Sequence, residues 1–423
     1  MISLFAFVTG LCLTVLSKDM GHTDLFLSIT IVLFSVAFFL DIARSRTYTH
    51  YIMALGTGYV FRIALLYYDV YSNNPLNLPL VGGPLSSDPL GFYRAAINYS
   101  QGLSSRYGGF FPRLLGGVFA VTGPSRLLAE FIVLLFSLGT LLVFVKILEE
   151  LGGPRTENRK AVYLIALLPN YAFLSVILRR ETIITFFVAL SLLYFIRWFR
   201  NTAGERAFLL SVVFALLASL FHGATGMIIV SYLFVHILYS PKRQAFSPDI
   251  KSILAAVFFI GVAMIIYGRY GTVFFGKVEA KLSAGVLSGG RDAGGSSYAR
   301  YVGDAKTPVR MLIYAIPRFM YYLFSPFPWQ WRGFKDIMTF LMSSAVYLLI
   351  FIDAFRYLRI ADKKDEKRNL LLAILLIALV TTAIFSWGVV NTGTATRHRD
   401  KIIVMYGLLY VLSRRKQRPI KIK

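Results

Sequence analysis

Asn391-Thr-Gly-Thr-Ala-Thr-Arg397-His398-Arg399-Asp400-Lys401 lies between two apolar runs, Leu370–Val390 and Ile402–Leu412, and a basic tail, Arg414-Arg-Lys-Gln-Arg-Pro-Ile-Lys-Ile-Lys423, follows them. Four charged groups and a histidine between such runs sit at the edge of a hydrocarbon layer. Charge at that depth is costly and marks function by default. Outward from this stretch the same alternation repeats. The chain has 423 residues, 57% of them hydrophobic, and a mean hydropathy of +0.63, which a soluble domain does not reach. Runs long enough to cross about 30 Å of hydrocarbon recur along its length. The expected fold class is an all-α polytopic membrane protein, a single integral membrane domain over 1–423.

Spans are expected near 2–17, 24–43, 49–68, 126–146, 161–178, 182–196, 207–221, 223–239, 251–267, 337–356, 370–390 and 401–413, about twelve transmembrane helices in all. No Lys or Arg precedes the apolar run Ile2–Leu16, whereas a cleaved signal peptide has a basic start; the run is therefore read as a retained span. Short basic loops set the orientation. Arg44–Arg46, Arg155–Lys160, Arg197–Arg206, Lys242–Lys251, Arg356–Arg368 and the tail all fall on one side of a twelve-span path, with both termini cytoplasmic. Two long extracytoplasmic segments then follow, 69–125 and 268–336. Val309–Phe327 is apolar but carries Arg310, Pro317 and Arg318 and ends in Ser-Pro-Phe-Pro-Trp329-Gln-Trp-Arg332; it is read as an interfacial or re-entrant helix.

Composition also removes function classes. The only cysteine, Cys12, rules out an intrachain disulfide. A net charge of +24 suits nucleic acid in a soluble protein, but in a membrane protein cytoplasmic Lys and Arg account for much of it, and no nucleic-acid partner is expected. There is no Walker A, GxSxG, GxGxxG, HExxH or zinc spacing, so neither a metal nor a cofactor is called for. Nearly half of the 45 Lys and Arg nevertheless fall on the outer side, mostly as arginine. Arginine's planar fork binds phosphate bidentately, so this surplus fits a phosphate-bearing substrate; lipid headgroups are the alternative.

Candidate residues come from the outer turns. Arg397 and Arg399 would point together on an extended backbone, while on a helix Arg397 would approach Asp400. Between the two arginines, His398 can carry a proton near neutral pH. Arg179, Arg180 and Glu181 interrupt an otherwise apolar passage, as a hairpin tip or as an ion pair capping two spans. His222 is flanked by small residues at the next outer turn and is either a ligand or a packing residue; His236 is mid-span with nothing to mark it. Asp88 either caps a helix or serves as a base toward a hydroxyl, with Arg106 and Arg113 nearby. Arg62 is buried in the third span, and Asp69 can reach it only if that helix is irregular.

The pattern Leu178-Arg-Arg180-Glu-Thr, a span, Arg197-Trp-Phe-Arg, a span, then Leu220-Phe-His222-Gly-Ala resembles the centre of Wzy/EpsG-type polysaccharide polymerases. Gly393-Thr-Ala-Thr-Arg397-His-Arg-Asp and Ser325-Pro-Phe-Pro-Trp329 are similar to segments of exopolysaccharide and O-antigen membrane proteins. The resemblance covers about a third of the chain, and Glu181 stands where many such proteins have Gln. It implies glycosyl transfer between polyprenyl-diphosphate-linked oligosaccharides on the outer leaflet of the bacterial cytoplasmic membrane, with a flippase and a chain-length regulator as protein partners. Diphosphate would be held by Arg180, Arg397 and Arg399, and the base would be Asp88, Glu181 or His398. Arg179, His222, Arg106, Arg113, Arg318 and Trp329 complete the expected substrate contacts. Three other readings stay open. Asp88 with Tyr93 is similar to the acidic first loop of GT-C glycosyltransferases using a polyprenyl-phosphate donor. A lipid-linked oligosaccharide flippase would also have many spans and arginines, and a structural assembly subunit is the remaining option.

Overall fold

The computed structural model describes residues 2–16, 23–72, 88–105, 107–246, 254, 297–302 and 308–414. Two compact units, Met1–Phe186 and Phe187–Lys423, meet within the helix Glu181–Phe199. Apart from a two-residue hairpin, Tyr239–Ser240 with Ala245–Phe246, the regular elements among the described residues are helices. Seven of them are long and apolar enough to cross a membrane: Thr23–Arg44, Thr49–Tyr71, Arg126–Leu151, Glu181–Phe199, Gly204–Phe221, Asp336–Ile360 and Glu366–Trp387. The chain is thus an all-α membrane protein. The apolar side chains left exposed on these helices, such as Leu25, Val32, Val60, Leu209 and Leu349, suit a lipid surround.

Several expected spans take a different form. The run 161–178 is not one helix. It breaks at Leu168, which adopts φ −59° and ψ 114° between Arg155–Leu167 and Pro169–Leu174. Pro169 has no N–H to continue the ladder, and its ring drives the preceding residue out of the helical region. Ile2–Leu16, Gly223–Leu238 and Ile403–Arg414 are apolar but shorter than the roughly 20 residues of an upright span. The expected span 251–267 lies outside the described residues except for Leu254. Val309–Phe327 is helical over Pro308–Phe324, with Pro317 inside the helix. Segment 69–125 begins in the end of one helix and, among its described residues, contains two more, Asp88–Ser100 and Phe110–Thr122. These two lock together through Phe92 on Phe111 and Tyr93 on Phe119, with ring centroids 5.4 and 5.6 Å apart.

In the first unit, the helices Ile52–Tyr71 and Arg155–Leu167 start at the same end. Tyr51 there donates to Glu149, near the end of Arg126–Leu151. At the other end Arg126 bridges Asp69 and Glu130, the latter at 2.9 Å, and Ser125 donates to Asp24 at 2.8 Å. The second unit is sorted in the same way. Arg200 pairs with Glu366 at 2.9 Å, Asn369 donates to the Gln244 carbonyl, and Arg414 pairs with Asp353 at 3.3 Å. The basic loops around 200, 244 and 366 and the start of the tail therefore share one end of that unit.

Buried Arg62 is held without a carboxylate. It donates to Ser137 Oγ (2.9 Å) and to the carbonyls of Gly58 (2.9 Å) and Ala166 (2.6 Å), and it lies over the Tyr171 ring. Asp69, two turns further on, goes to Arg126 instead.

Candidate functional site

Asn391 opens the short helix Thr392–Asp400 by accepting from the N–H groups of Gly393 (2.9 Å) and Thr394 (3.2 Å). This cap satisfies donors that a helix start otherwise leaves orphaned. Of the two backbone forms considered for the Arg397-His398-Arg399 stretch, the helix is therefore the one present. Residues two apart on a helix diverge by roughly 200°. Arg399 turns inward and is fully buried, whereas Arg397 and His398 are half-exposed.

Arg399 is taken up by the chain itself. Its guanidinium donates to the carbonyls of Leu323 and Ser325 (3.1 Å), to Ser344 Oγ (3.0 Å) and to Thr396 Oγ1 (2.6 Å), and it faces the Tyr347 ring. The expectation that Arg397 and Arg399 jointly clamp a diphosphate is corrected here. Helical periodicity separates them, and Arg399 ties Thr392–Asp400 to the end of Pro308–Phe324 and to Asp336–Ile360. Ser344 reaches it from a π-helical turn, Phe340–Ser344, which re-aims side chains within an otherwise α-helical span. Its hydroxyl also donates to the Ser325 carbonyl at 2.7 Å. Beside this tie, the buried Asp400 accepts from Tyr347 at 3.2 Å, and Lys401 lies over Phe385.

His398 and His222 come together. Their ring centroids are 5.0 Å apart and nearly perpendicular, and each packs edge-on to Phe385, at 5.5 and 5.8 Å. His222 stands at the C-terminal cap of Gly204–Phe221 in an extended conformation (φ −157°, ψ 104°), just before the turn Gly223–Gly226. That break in the helix swings the ring toward Phe385 on the long helix Glu366–Trp387. Both imidazoles are half-exposed. An imidazole pair that solvent can reach is able to accept, donate and relay a proton near neutral pH. Arg397 is half-exposed one residue away.

Other expected residues of the second unit frame this end. Arg318 is fully buried and lies over the Trp387 ring at 5.1 Å. Trp329 is 60% exposed, stacks on Phe327 with centroids 4.6 Å apart and donates from Nε1 to Tyr321. Tyr301 stacks on Tyr321 in turn, so a file of aromatic faces leads outward. Tyr298 pins the short segment 297–302 beneath it. Its N–H donates to the Val390 carbonyl (2.9 Å) and its hydroxyl to the Val389 carbonyl (3.1 Å), and Ser297 bridges to Asn391. Burial pushes the Tyr298 phenol up, so it remains a neutral donor.

In the first unit, Asp88 opens Asp88–Ser100 and pairs with Arg179 at 3.6 Å. Arg180 lies over Phe92 of the same helix at 5.7 Å, and Arg113 lies over Tyr99 at 5.7 Å. Glu181 is buried as the first residue of Glu181–Phe199. Arg106 lies outside the described residues. Asp88, Arg179 and Arg180 are thus gathered around one helix start, although some 90 residues separate them in the chain.

Sequence reasoning passed over Ser344, Tyr347, Phe385 and Tyr298. Only Ser343-Ser344, two hydroxyls inside an apolar run, carried a visible signal. His236, unmarked in the sequence, packs between Trp198 and Phe208 at 4.9 and 4.2 Å. Among the described residues no group of three or more His, Cys, Asp or Glu is placed to hold a metal ion. Comparison of the chain with protein-family models, curated proteins and solved structures gives no match.

Proposed function

We propose that this protein polymerises polyprenyl-diphosphate-linked oligosaccharide repeat units, as a glycosyltransferase of the Wzy/EpsG type. The observation that carries the reading is the meeting of His222 and His398, 5.0 Å apart, beside half-exposed Arg397. These three residues come from the two segments that carry the resemblance, and they converge at a helix break and a helix end.

In this reading the basic loops and both termini face the cytoplasm, the protein resides in a bacterial inner membrane, and the histidine pair faces the outer leaflet. The shorter apolar helices complete a path of about twelve spans as tilted or broken crossings. His398 takes the proton from a sugar hydroxyl of one repeat unit. That oxygen bonds to the anomeric carbon of the growing chain. The bond from this carbon to the lipid diphosphate breaks, and the diphosphate leaves with the electron pair. Arg397 stabilises the developing negative charge, as a fixed cation does best in a site poor in water. His222 orients His398, and Trp329 with Phe327 offers the sugar an apolar face. Within the first unit, Arg179 and Arg180, held around Asp88–Ser100, are cations able to bind phosphate groups. Arg399 and Arg318 act from within, by fixing the elements that carry these groups.

The test is synthesis from a defined polyprenyl-diphosphate repeat unit by purified protein, with products sized on a gel. A ladder spaced by whole repeats, lost in His398→Ala, weakened in His222→Ala and retained in Arg206→Gln, is expected. Lipid crossing between leaflets without any product would identify a flippase instead.

One observation favours a second reading. Asp88 is 45% exposed in its side chain while held at 3.6 Å from Arg179, which leaves a carboxylate positioned and reachable. That is what a GT-C transferase with a polyprenyl-phosphate donor requires of its first loop. Addition of one sugar per acceptor, abolished by Asp88→Asn, would decide for it.

A further inference from the structure

The two helices of the first unit that start at one end, Ile52–Tyr71 and Arg155–Leu167, enclose a recess of about 660 Å³. Its lining divides into two chemistries. Arg155, Arg159 and Lys160 stand on one helix, with His50 on the other segment; Ile52, Met53, Ala54 and Tyr163 supply apolar surface, and Thr49 and Thr156 complete the lining. Arg155, Arg159 and Tyr163 follow one another at intervals of four and so share one helical stripe. Lys160 is neutralised by Glu157 at 2.7 Å, and Glu149 is engaged by Tyr51. Arg155 and Arg159 form no ion pair among the described residues. The helix Arg155–Leu167 has no side-chain cap at Pro154, so its first-turn N–H groups add to the positive potential of this end.

The apolar wall continues beyond the recess. Met53 is 70% exposed and Val60, two turns along the same helix, is 57% exposed, with exposed Thr57 between them. Residues at these intervals line one side of a helix. A charged recess at a helix start, prolonged by an outward apolar stripe, matches an amphiphile: an anionic head in the recess and an acyl chain along the stripe.

We propose that this recess binds an anionic phospholipid by its headgroup phosphate, between Arg155 and Arg159, with an acyl chain lying along Met53 and Val60. The site belongs to the end of the unit that carries Arg155–Lys160, and thus to the leaflet at that end. It shares no lining residue with the Asp88 and Arg179 cluster or the histidine pair, and it does not depend on the reaction proposed for them. Phosphate recognition by arginine is bidentate and local, whereas the stripe selects for a lipid over a soluble anion.

The test uses the full chain in detergent micelles. Retained lipid is read by native mass spectrometry, and affinity by titration with phosphatidylglycerol, phosphatidylcholine, glycerol phosphate and pyrophosphate. Phosphatidylglycerol is expected to bind more tightly than phosphatidylcholine. Arg155→Gln with Arg159→Gln should cost about 25-fold, about fivefold for each arginine. Both side chains are exposed, so the variant should fold normally. A charge-matched control, Arg206→Gln with Arg359→Gln, is expected to leave the affinity unchanged. Met53→Gln should weaken phosphatidylglycerol binding but not glycerol phosphate binding. Equal affinity for the two lipids, or no effect of the double variant, would overturn the site. Glycerol phosphate or pyrophosphate binding as tightly as the lipid would show a site for free anions and overturn the lipid assignment.

Discussion

Each unit contains a fully buried arginine that forms no ion pair among the described residues, Arg62 in the first and Arg399 in the second. Both donate to main-chain carbonyls and to a serine hydroxyl, and both lie over a tyrosine ring. Their settings diverge from there. Around Arg62 the neighbouring helices simply pack, and the unit's nearby charges close on one another in the Asp69, Arg126 and Glu130 network. Around Arg399 the same tie holds a short helix that brings half-exposed His398 against His222, with half-exposed Arg397 next to it in the chain. A buried cation is therefore not a site in itself. The donors of a guanidinium can be engaged by carbonyls and hydroxyls of the fold, making it a bolt. Chemistry belongs to the groups the bolt holds in reach of a ligand.

The sharpest way to break this contrast is at the histidines. If His398 moves the proton, His398→Ala should lower polymer formation by about 10²- to 10⁴-fold, with the unfolding temperature in detergent close to that of the parent. His222→Ala should fall in the same direction by less. An unfolding temperature that drops as far as the activity would place the pair with Arg62 and Arg399, as packing.

Arg399→Leu tests the opposite side. It leaves the carbonyls of Leu323 and Ser325 and the Ser344 hydroxyl without their charged donor. At about 1–3 kcal/mol for each stranded buried group, a loss of more than 3 kcal/mol is expected, seen as early unfolding in a thermal scan. Arg397→Leu, elsewhere on the same helix, should cost less stability than Arg399→Leu and lose activity instead. Equal destabilisation by the two substitutions would refute the division of roles.

Ser344→Ala is a finer probe of the same tie. It removes one of the four groups to which Arg399 donates, together with the Ser344 bond to the Ser325 carbonyl. Hydrogen bonds to a charged group contribute about 1.5–3 kcal/mol, so the change should fall below that of Arg399→Leu but remain measurable in denaturant unfolding.

The helical membrane class was legible because hydrocarbon imposes its length and polarity directly on sequence. The clustering of basic loops was legible for a similar reason: Arg200 with Glu366, and Asn369 with the Gln244 carbonyl, share one end of their unit as the charge pattern required. The break at Leu168–Pro169 was signalled by its proline, yet apolar composition hid it. His222 and His398 could each be picked out by chemistry, but their meeting depends on Phe385, an ordinary residue in an apolar run. Arg399 was misjudged because two of its four partners are carbonyls, which every residue has, and the other two are hydroxyls in apolar surroundings. Which carbonyls are left without a helical partner depends on where Pro308–Phe324 ends and on the π-turn at Phe340–Ser344, and neither is written in residue type.

At Asp88 the expected stability change is small, and there it is the most informative. Its pair with Arg179 spans 3.6 Å, with 45% of the Asp88 side chain exposed. Pairs that solvent screens to this degree contribute about 0–1 kcal/mol. Asp88 also begins a helix, where a negative charge gains a few tenths of a kcal/mol from the helix dipole, about 0.3–1 at most. Asp88→Asn keeps the shape and a capping oxygen and removes only the charge, so unfolding should shift by less than about 1 kcal/mol. Activity then separates the two readings of the first unit. If Asp88 only holds Arg179, a modest fall in polymer yield follows and Arg179→Gln reproduces it. If Asp88 is the base of a single-sugar transfer, Asp88→Asn abolishes turnover while Arg179→Gln leaves part of it. A large loss at Asp88 with little change at His398 would move the centre of the chemistry from the second unit to the first.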